Sequence, residues 1–234
     1  MRLVFVRHGE PDYINDCLTE NGVEQAQCTA ERLKNEPISA IYSSPMGRAK
    51  QTASYTAEDH GLDVKVLDFM HEINWGILDE KKENGELKYE GHPWSLAHDL
   101  LTENPELIGS DKWNEHPYFA DNKCTYFFPA ISEGIDKLLA CYGLERKDGA
   151  YLCTKACDDT IALFAHGGSG AVMISHIFSL PFPFVLSALP YGVCSVSVIS
   201  FDSNEGGLIL PRLELFNDMS HIRNRKKEPL RFEK

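Results

Sequence analysis

Short apolar runs alternate with helical patterns at the start of the chain. Leu3 to Val6 is a continuous apolar run that ends at a polar Arg-His-Gly sequence, as is typical of a buried parallel strand. Thr19 precedes a segment whose apolar residues keep helical spacing until Pro37. Ile38 to Tyr42 is the next short apolar run. The pattern therefore predicts a strand, a helix and a second strand in succession.

A second predicted helix follows directly. Ser44 and Pro45 favour an N-cap followed by proline at the first helical position, and Gly61 marks the end of the helix. Asp63 to Leu67 is a third strand candidate. Because strands and helices alternate in this way, the sequence predicts an α/β fold with three layers, α/β/α, around a mostly parallel central sheet.

The alternation breaks down from about residue 79 to residue 150. This stretch is rich in Glu, Lys, Asn and Pro, and Ile131 to Tyr142 is one of its irregular helical patches. It predicts a helical lid inserted into a single domain that spans residues 1–234. We expect most of its aromatic residues to form a small core of their own, while a few facing the crevice would favour a moderately hydrophobic or ring-bearing monophosphate. These residues are Tyr89, Trp94, Trp113, Tyr118, Phe119, Tyr126, Phe127, Phe128 and Tyr142.

The α/β pattern returns after the insertion. Ile161 to Ala165 predicts a short buried strand, residues 166–170 a glycine-rich turn, and Ala171 to Leu180 a helix. Val193 to Phe201 and Leu208 to Phe216 are separated by a turn-forming segment. We expect these last two runs to form a strand pair that closes the sheet.

Composition and charge argue against nucleic acid and membranes as partners. The chain has 234 residues, of which 35 are acidic and 23 basic, so its formal net charge is -12. Such a chain repels polyphosphates and anionic bilayers, which makes nucleic acid an unsuitable partner. The longest apolar runs fall far short of the roughly 20 residues that a membrane helix needs, and the N-terminal run is too short for a signal sequence. We therefore expect a cytoplasmic protein with no membrane partner.

Cationic and imidazole side chains follow three of the predicted strands. Arg7 and His8 follow the first strand, Arg48 lies shortly after the second, and His166 with Gly167 follows the strand behind the insertion. Because the carboxyl ends of parallel strands share one edge of a sheet, we expect these residues to meet. Clustered cations repel each other, and an anion with several oxygens relieves that repulsion. The sequence therefore predicts a phosphoryl site.

Five short motifs, in this order along the chain, resemble those of the histidine phosphatase superfamily, also called phosphoglycerate mutase-like. They are Arg7-His8-Gly9-Glu10; Leu18-Thr19 with Gly22 and Gln25-Ala26; Ser43-Ser44-Pro45-Met46-Gly47-Arg48-Ala49 with Gln51-Thr52; Glu72 with Gly76; and His166-Gly167. Each motif alone is weak. Their combination, each at the expected end of a strand or helix, is specific.

The resemblance implies a role for each candidate residue. It implies that His8 is the nucleophile that becomes phosphorylated and that Glu72 is the proton donor. It further implies that the phosphoryl oxygens are held by Arg7, Arg48 and His166, and that the anion approaches the backbone closely at Gly167. No metal or other cofactor is implied. The expected partner is a small-molecule phosphomonoester, and a homodimer stays open.

Two departures separate the chain from the mutases of that superfamily. Mutases usually follow the first motif with Ser and then Asn, whereas this chain has Pro11 and a displaced Asn15. Residues 79–150 contain 15 acidic and 8 basic residues, with Arg146 as the one arginine, which suits a bisphosphorylated substrate poorly. We therefore predict a metal-independent phosphomonoesterase that acts through a phosphohistidine. The alternatives are a phosphoglycerate mutase-type phosphotransferase and a non-catalytic protein that binds a phosphorylated ligand.

Overall fold

The computed structural model describes residues 1–74, 93–120, 122–190 and 192–222, together with the pairs Lys82–Glu83 and Glu86–Leu87. The chain divides into two compact units. The first comprises Met1–Glu72, Leu138–Gly167 and Tyr191–Lys234, and the second comprises Ile73–Lys137 and Gly168–Pro190. These bounds differ from those of the predicted insertion, 79–150. The organisation into a single domain stays a prediction.

The strands are β1 (Arg2–Arg7), β2 (Pro11–Asp12), β3 (Cys17–Leu18), β4 (Ile38–Ser43), β5 (Val64–Val66), β6 (Lys82–Glu83), β7 (Glu86–Leu87), β8 (Leu144–Lys147), β9 (Ala150–Cys153), β10 (Thr160–Ala165), β11 (Val196–Ser200), β12 (Leu208–Ile209) and β13 (Arg212–Asp218). The helices are α1 (Glu20–Leu33), α2 (Gly47–His60), α3 (Pro93–Glu103), α4 (Pro117–Ala120), α5 (Cys124–Ala140), α6 (Gly167–Phe178) and α7 (Phe182–Ala188). Among the described residues, none of these helices is long and apolar enough to cross a membrane.

The central sheet of the first unit has the strand order β13-β11-β1-β10-β4-β5. Strands β1, β10, β4 and β5 are parallel, and β11 and β13 run antiparallel at one side. Leu3 to Val6 of β1 are at most 1% exposed, because the strand is covered on both faces. The predicted α/β fold with a mostly parallel sheet and flanking helices is confirmed.

Helix α1 begins where the sequence predicts it. Thr19 is the N-cap, and its hydroxyl accepts a hydrogen bond of 3.0 Å from the backbone N–H of Gly22. Helix α2 ends at Gly61, which has a φ of 63° and caps the helix in the left-handed conformation. Leu33 from α1 and Ala53 from α2 pack on Ile41 in the core against the sheet.

Three predicted boundaries are wrong. Helix α2 begins at Gly47 with Met46 at its N-cap, later than predicted, and the Ser44 hydroxyl contacts His166 as well as the backbone N–H of Met46. Residues 167–170 belong to the first turn of α6, since β10 passes into that helix almost directly. The run predicted as one strand over residues 208–216 is split into β12 and β13 by Pro211, which has no N–H to continue a ladder.

The second unit contains a cluster of aromatic side chains. The ring centroid of Trp113 lies 5.5 Å from that of Phe119, 5.3 Å from that of Phe128 and 5.4 Å from that of Phe182. These four residues and Tyr118, which contacts Phe119, are held by edge-to-face and tilted ring contacts. The prediction that aromatic residues of the insertion form a core is confirmed for Trp113, Tyr118, Phe119 and Phe128. Tyr89 lies outside the described residues.

Candidate active site

The ends of three parallel strands bring the predicted site residues together. His8 follows β1, Ser44 follows β4 and His166 follows β10. The backbone N–H of His8 donates to Ala165 at 2.9 Å, and that of Ser44 donates to Phe164 at 2.9 Å. The sheet hydrogen bonding therefore extends one residue beyond the strands. It fixes the backbone that carries these side chains.

Two hydrogen bonds set the tautomer of His8. Its Nδ1 lies 2.7 Å from the carbonyl oxygen of Gly9, and its Nε2 lies 3.3 Å from Nε of Arg48. A carbonyl oxygen can only accept and a guanidinium can only donate. Nδ1 of His8 therefore carries the proton, and Nε2 presents its lone pair. The sequence reasoning required such a fixed acceptor for the second ring nitrogen, and Gly9 supplies it.

His8 is neutral in this environment. Burial is the main cause that, together with the charges of Arg7 and Arg48, lowers its pKa from 6.5 to about 3. The hydrogen bond to Gly9 and the charge of Asp16 act in the opposite direction but do not offset these effects. The Nε2 lone pair of His8 is therefore free of a proton at neutral pH.

Arg48 is held by a carboxylate that sequence reasoning missed. Arg48 is only 4% exposed, and Nη1 of its guanidinium donates to Oδ1 of Asp16 at 2.6 Å. The backbone N–H of Gly47 donates to Oδ2 of the same residue, also at 2.6 Å. A Cβ at Gly47 would lie 2.1 Å from the backbone oxygen of Asp16, so the close approach requires glycine. That glycine, one residue before Arg48, is the signal that could have indicated a contacting loop.

Arg48 lies between the carboxylate of Asp16, whose pKa is lowered, and the ring of Tyr13. Burial raises the pKa of Asp16, but hydrogen bonds from Gly47 and Arg48 outweigh it and lower the pKa below its ordinary value. The ring of Tyr13 lies over the guanidinium, with its centroid 5.4 Å from Cζ. Arg48 is therefore positioned by contacts on more than one side before any anion binds.

His166 lies beside His8. The ring centroids are 5.1 Å apart and the rings are inclined by 60°. Nε2 of His166 lies 2.6 Å from Oγ of Ser44. Burial is the main cause that, together with the charges of Arg48 and Arg7, lowers its pKa from 6.5 to about 2. His166 is therefore a second neutral imidazole in a positively charged setting.

Arg7 and Gly167 also lie at this edge of the sheet. Arg7 is the last residue of β1. Its backbone N–H donates to the carbonyl oxygen of Ser195, and its carbonyl oxygen accepts from the backbone N–H of Cys194. Its charge lowers the pKa of both His8 and His166. Gly167 is the first residue of α6, where backbone N–H groups have no partner within the helix.

Glu72 follows a short 3₁₀ turn, Asp68–Met70, and is partly buried. Its backbone N–H points to the sulfur of Met46, at 3.5 Å, so the segment lies against the residue that precedes α2. The neighbouring His71 acts on the pKa of His166, which places the segment near the histidine pair. The role of Glu72 stays a prediction. Gly76, its companion in the motif, lies outside the described residues.

Several motif residues have structural partners. Thr52 accepts a hydrogen bond of 3.0 Å from the backbone N–H of Gly9, and Gln25 accepts one of 2.8 Å from that of Glu10. The Glu10 carboxylate in turn accepts from the hydroxyl of Thr19 at 2.8 Å. These contacts hold the loop after β1 against the neighbouring helices. They give several polar residues of the motifs a structural role.

Acidification from pH 6.5 to pH 5 is expected to lower the free energy of unfolding. The folded pKa values of His8 and His166, about 3 and about 2, lie below the ordinary 6.5. The unfolded chain therefore binds more protons, and stability that is present above pH 6.5 is lost as the pH falls. Each imidazole contributes about 1.4 kcal/mol per pH unit once the unfolded form is protonated. Denaturant unfolding at several pH values measures this effect in the wild type and in His8→Gln. The free energy of unfolding should depend less steeply on pH in the variant, and equal slopes in the two proteins would contradict the lowered pKa of His8.

Comparisons with known proteins agree with the motifs. Residues 3–110 match the model of the Histidine phosphatase superfamily (branch 1). The probable phosphoglycerate mutase GpmB of Yersinia pestis (strain Pestoides F) is 33% identical over 90 residues, which cover 35% of this chain and 42% of that protein. The same values hold for GpmB of Yersinia pseudotuberculosis serotype O:3 (strain YPIII). The chain thus matches these curated relatives over less than half of their length.

Solved structures share the fold over most of the chain. A mycobacterial glucosyl-3-phosphoglycerate phosphatase in complex with inorganic phosphate has a TM-score of 0.62 at 23% identity, covering 94% of this chain and 99% of that one. A phosphoserine phosphatase from Entamoeba histolytica in complex with 3-phosphoglyceric acid has a TM-score of 0.60 at 20% identity, covering 94% and 98%. The family match covers residues 3–110, less than half of the chain, so over that part the chain is similar to the histidine phosphatase superfamily, and the solved structures show that the fold is shared over most of the chain.

Proposed function

We propose that the protein hydrolyses a small phosphomonoester through a phosphohistidine on His8. The observation that carries this proposal is the neutral, oriented imidazole of His8. Its Nδ1 is held by Gly9 at 2.7 Å, and its Nε2 lone pair faces the buried guanidinium of Arg48. A nucleophile needs an unprotonated nitrogen, and a transferring phosphoryl group needs fixed cations around it. Both needs are met at one place.

In the first step, Nε2 of His8 attacks phosphorus and forms an N–P bond while the bond from phosphorus to the ester oxygen breaks. The leaving oxygen takes the bonding electrons and a proton from an acid, for which Glu72 is the proposed residue. The charge on the phosphoryl oxygens is stabilised by Arg7, Arg48 and His166. Because Nδ1 of His8 already carries a proton bonded to Gly9, the cation that forms on the ring is stabilised by that carbonyl.

In the second step, water attacks the phosphohistidine. The base, again Glu72 in this proposal, takes the proton of the attacking water while the N–P bond breaks. The electrons of that bond return to Nε2 of His8, inorganic phosphate leaves, and the neutral imidazole is restored. One carboxyl group can therefore alternate between acid and base.

The expected substrates are small phosphorylated metabolites. Proteins of the same fold are named for glucosyl-3-phosphoglycerate and phosphoserine, which are both monoesters on small polar skeletons. A panel of these esters, with 3-phosphoglycerate and p-nitrophenyl phosphate, tests the proposal. We expect release of inorganic phosphate that a chelator does not reduce, because side chains supply the positive charge. Activity that depends on added Mg²⁺ or Zn²⁺ would contradict this part of the proposal.

The similarity to probable phosphoglycerate mutases favours a second candidate function, phosphoryl transfer back to the substrate. We expect inorganic phosphate to form faster than any isomer when the protein is given a phosphoglycerate. The reason is that residues 79–150, with 15 acidic and 8 basic residues, offer little charge to retain a phosphorylated intermediate. Following phosphate and both isomers in one reaction by ³¹P NMR measures the ratio. Isomer formation that outpaces phosphate release would establish the mutase.

A further inference from the structure

Ser44 makes two hydrogen bonds, of which the one to His166 is not part of its sequence interpretation as a helix cap. Its side chain is fully buried, and its Oγ lies 2.6 Å from Nε2 of His166. The same Oγ accepts a hydrogen bond of 3.2 Å from the backbone N–H of Met46. Since the backbone of Ser44 is itself bonded to Phe164, the hydroxyl is fixed relative to the imidazole.

A count of hydrogens distinguishes the two tautomers of His166. A neutral imidazole has one N–H, and the Ser44 hydroxyl has one hydrogen. If Nε2 carried the proton, Ser44 Oγ would accept from both His166 and Met46, and its own hydrogen would find no acceptor among the described residues. If Ser44 donates to Nε2, the hydroxyl is satisfied as donor and acceptor. The proton of His166 is then on Nδ1.

We propose that Ser44 is a positioning residue that holds neutral His166 as the Nδ1-protonated tautomer, so that this N–H is available to an oxygen of a bound phosphoryl group. The tautomer follows from the hydrogen bonds alone. The part concerning the phosphoryl group rests on the proposed function.

The environment of Nδ1 favours an anionic acceptor. This atom is buried and has no hydrogen-bond partner within the described part of the chain. A buried donor without an acceptor is costly, and an oxygen of an anion removes that cost. The charges of Arg48 and Arg7 act on the same ring. In the opposite tautomer the Nδ1 lone pair would repel a phosphoryl oxygen, so the direction of the Ser44 hydrogen bond decides whether His166 attracts or repels the ligand.

The first experiment measures the tautomer directly. Long-range ¹H–¹⁵N spectra of protein labelled with ¹⁵N-histidine distinguish protonated from unprotonated ring nitrogens. The chain has nine histidines, so the signals of His166 are assigned by their loss in His166→Gln. We expect a protonated Nδ1 and an unprotonated Nε2 at neutral pH. A wild-type protein with the proton on Nε2 would overturn the proposal whether or not any variant folds.

The second experiment compares two adjacent serines. Ser44→Ala removes the bond to His166, whereas Ser43→Ala removes an equally buried hydroxyl that donates to the backbone oxygen of Ser44 at 2.9 Å. We expect Ser44→Ala to mix the tautomers and to weaken the binding of inorganic phosphate roughly 10-fold, the effect of one hydrogen bond to a charged group. Ser43→Ala should change neither the tautomer of His166 nor the binding of phosphate. Equal effects of the two substitutions would overturn the proposal. If Ser44→Ala does not fold, Ser44→Cys replaces it, with a smaller change in the same direction.

A phosphate titration of the wild type separates the two proposals. We expect inorganic phosphate to shift the Nδ1 signal of His166. An unmoved signal in a protein that still hydrolyses phosphomonoesters would overturn the role of Nδ1 and leave the proposed function standing. A shifted signal in a protein that hydrolyses none of the esters would support the positioning role and contradict the proposed function.

Discussion

Replacing His8 by alanine is expected to abolish both phosphoester hydrolysis and the labelled phosphoenzyme. In the structure, His8 carries the nitrogen that is unprotonated, oriented by Gly9 and beside Arg48. His166 has its Nε2 engaged by Ser44, so it cannot take over this role with the same nitrogen. Loss of an essential nucleophile typically costs about 10⁴- to 10⁶-fold in kcat. Turnover and acid-labile incorporation of ³²P from a labelled ester measure the two effects together.

The control for this variant is His98→Ala, which removes an exposed histidine of α3. It should hydrolyse the ester and incorporate label like the wild type. Hydrolysis by His8→Ala at the wild-type rate would refute the phosphohistidine mechanism. A wild type that binds phosphate but shows neither turnover nor label on any ester would instead establish a protein that only binds a phosphorylated ligand.

Replacing Glu72 by glutamine is expected to slow esters with poor leaving groups far more than activated ones. An alkoxide needs a proton as it departs, whereas p-nitrophenolate leaves without one. The expected loss for an alkyl ester such as phosphoserine is about 10²- to 10⁴-fold, the range of general acid catalysis. For the aryl ester, hydrolysis of the phosphohistidine can become limiting, which produces a burst of p-nitrophenol. Steady-state and rapid-mixing kinetics with both esters separate the two steps.

Asp12→Asn is the matched control for Glu72→Gln. Asp12 is the last residue of β2, and hydrogen bonds from Asn15 and Ile14 lower its pKa. A carboxyl that stays ionised is a poor proton donor at neutral pH, so this variant should lose little activity. Equal losses for the alkyl and aryl esters in Glu72→Gln, with no burst, would restrict Glu72 to a structural role.

The strands that position the site could be predicted because their chemistry is local. The run from Leu3 to Val6 is buried on both faces and continuous in sequence, and Thr19 and Gly61 mark the ends of their helices by capping. The polar residues after these strands meet because parallel strands end at one edge. The pattern therefore indicates that Arg7, His8, Arg48 and His166 lie at one edge of the sheet, and their roles stay predictions.

The partners of those residues could not be predicted in the same way. Asp16 reaches Arg48 across 32 positions of the chain, and Ser44 reaches His166 across 122. Neither contact has a periodic signature, because each depends on how a loop closes over the sheet. At Ser44, the preference of the local sequence differs from the contact that the folded chain provides. Its local sequence favours a helix cap, but a buried imidazole offers its hydroxyl a partner that helix geometry does not include.

The hydrogen bonds that extend the sheet beyond β1 and β4 affect how the site fluctuates. The amides of His8 and Ser44 are bonded to carbonyls of β10, a strand that is buried along its whole length. Such amides exchange with deuterium only when the sheet itself opens, and so they belong to the most slowly exchanging class of the protein. We therefore expect the backbone under the histidine pair to hold one conformation before a ligand binds, so that little ordering entropy would be lost if a phosphate binds there as proposed.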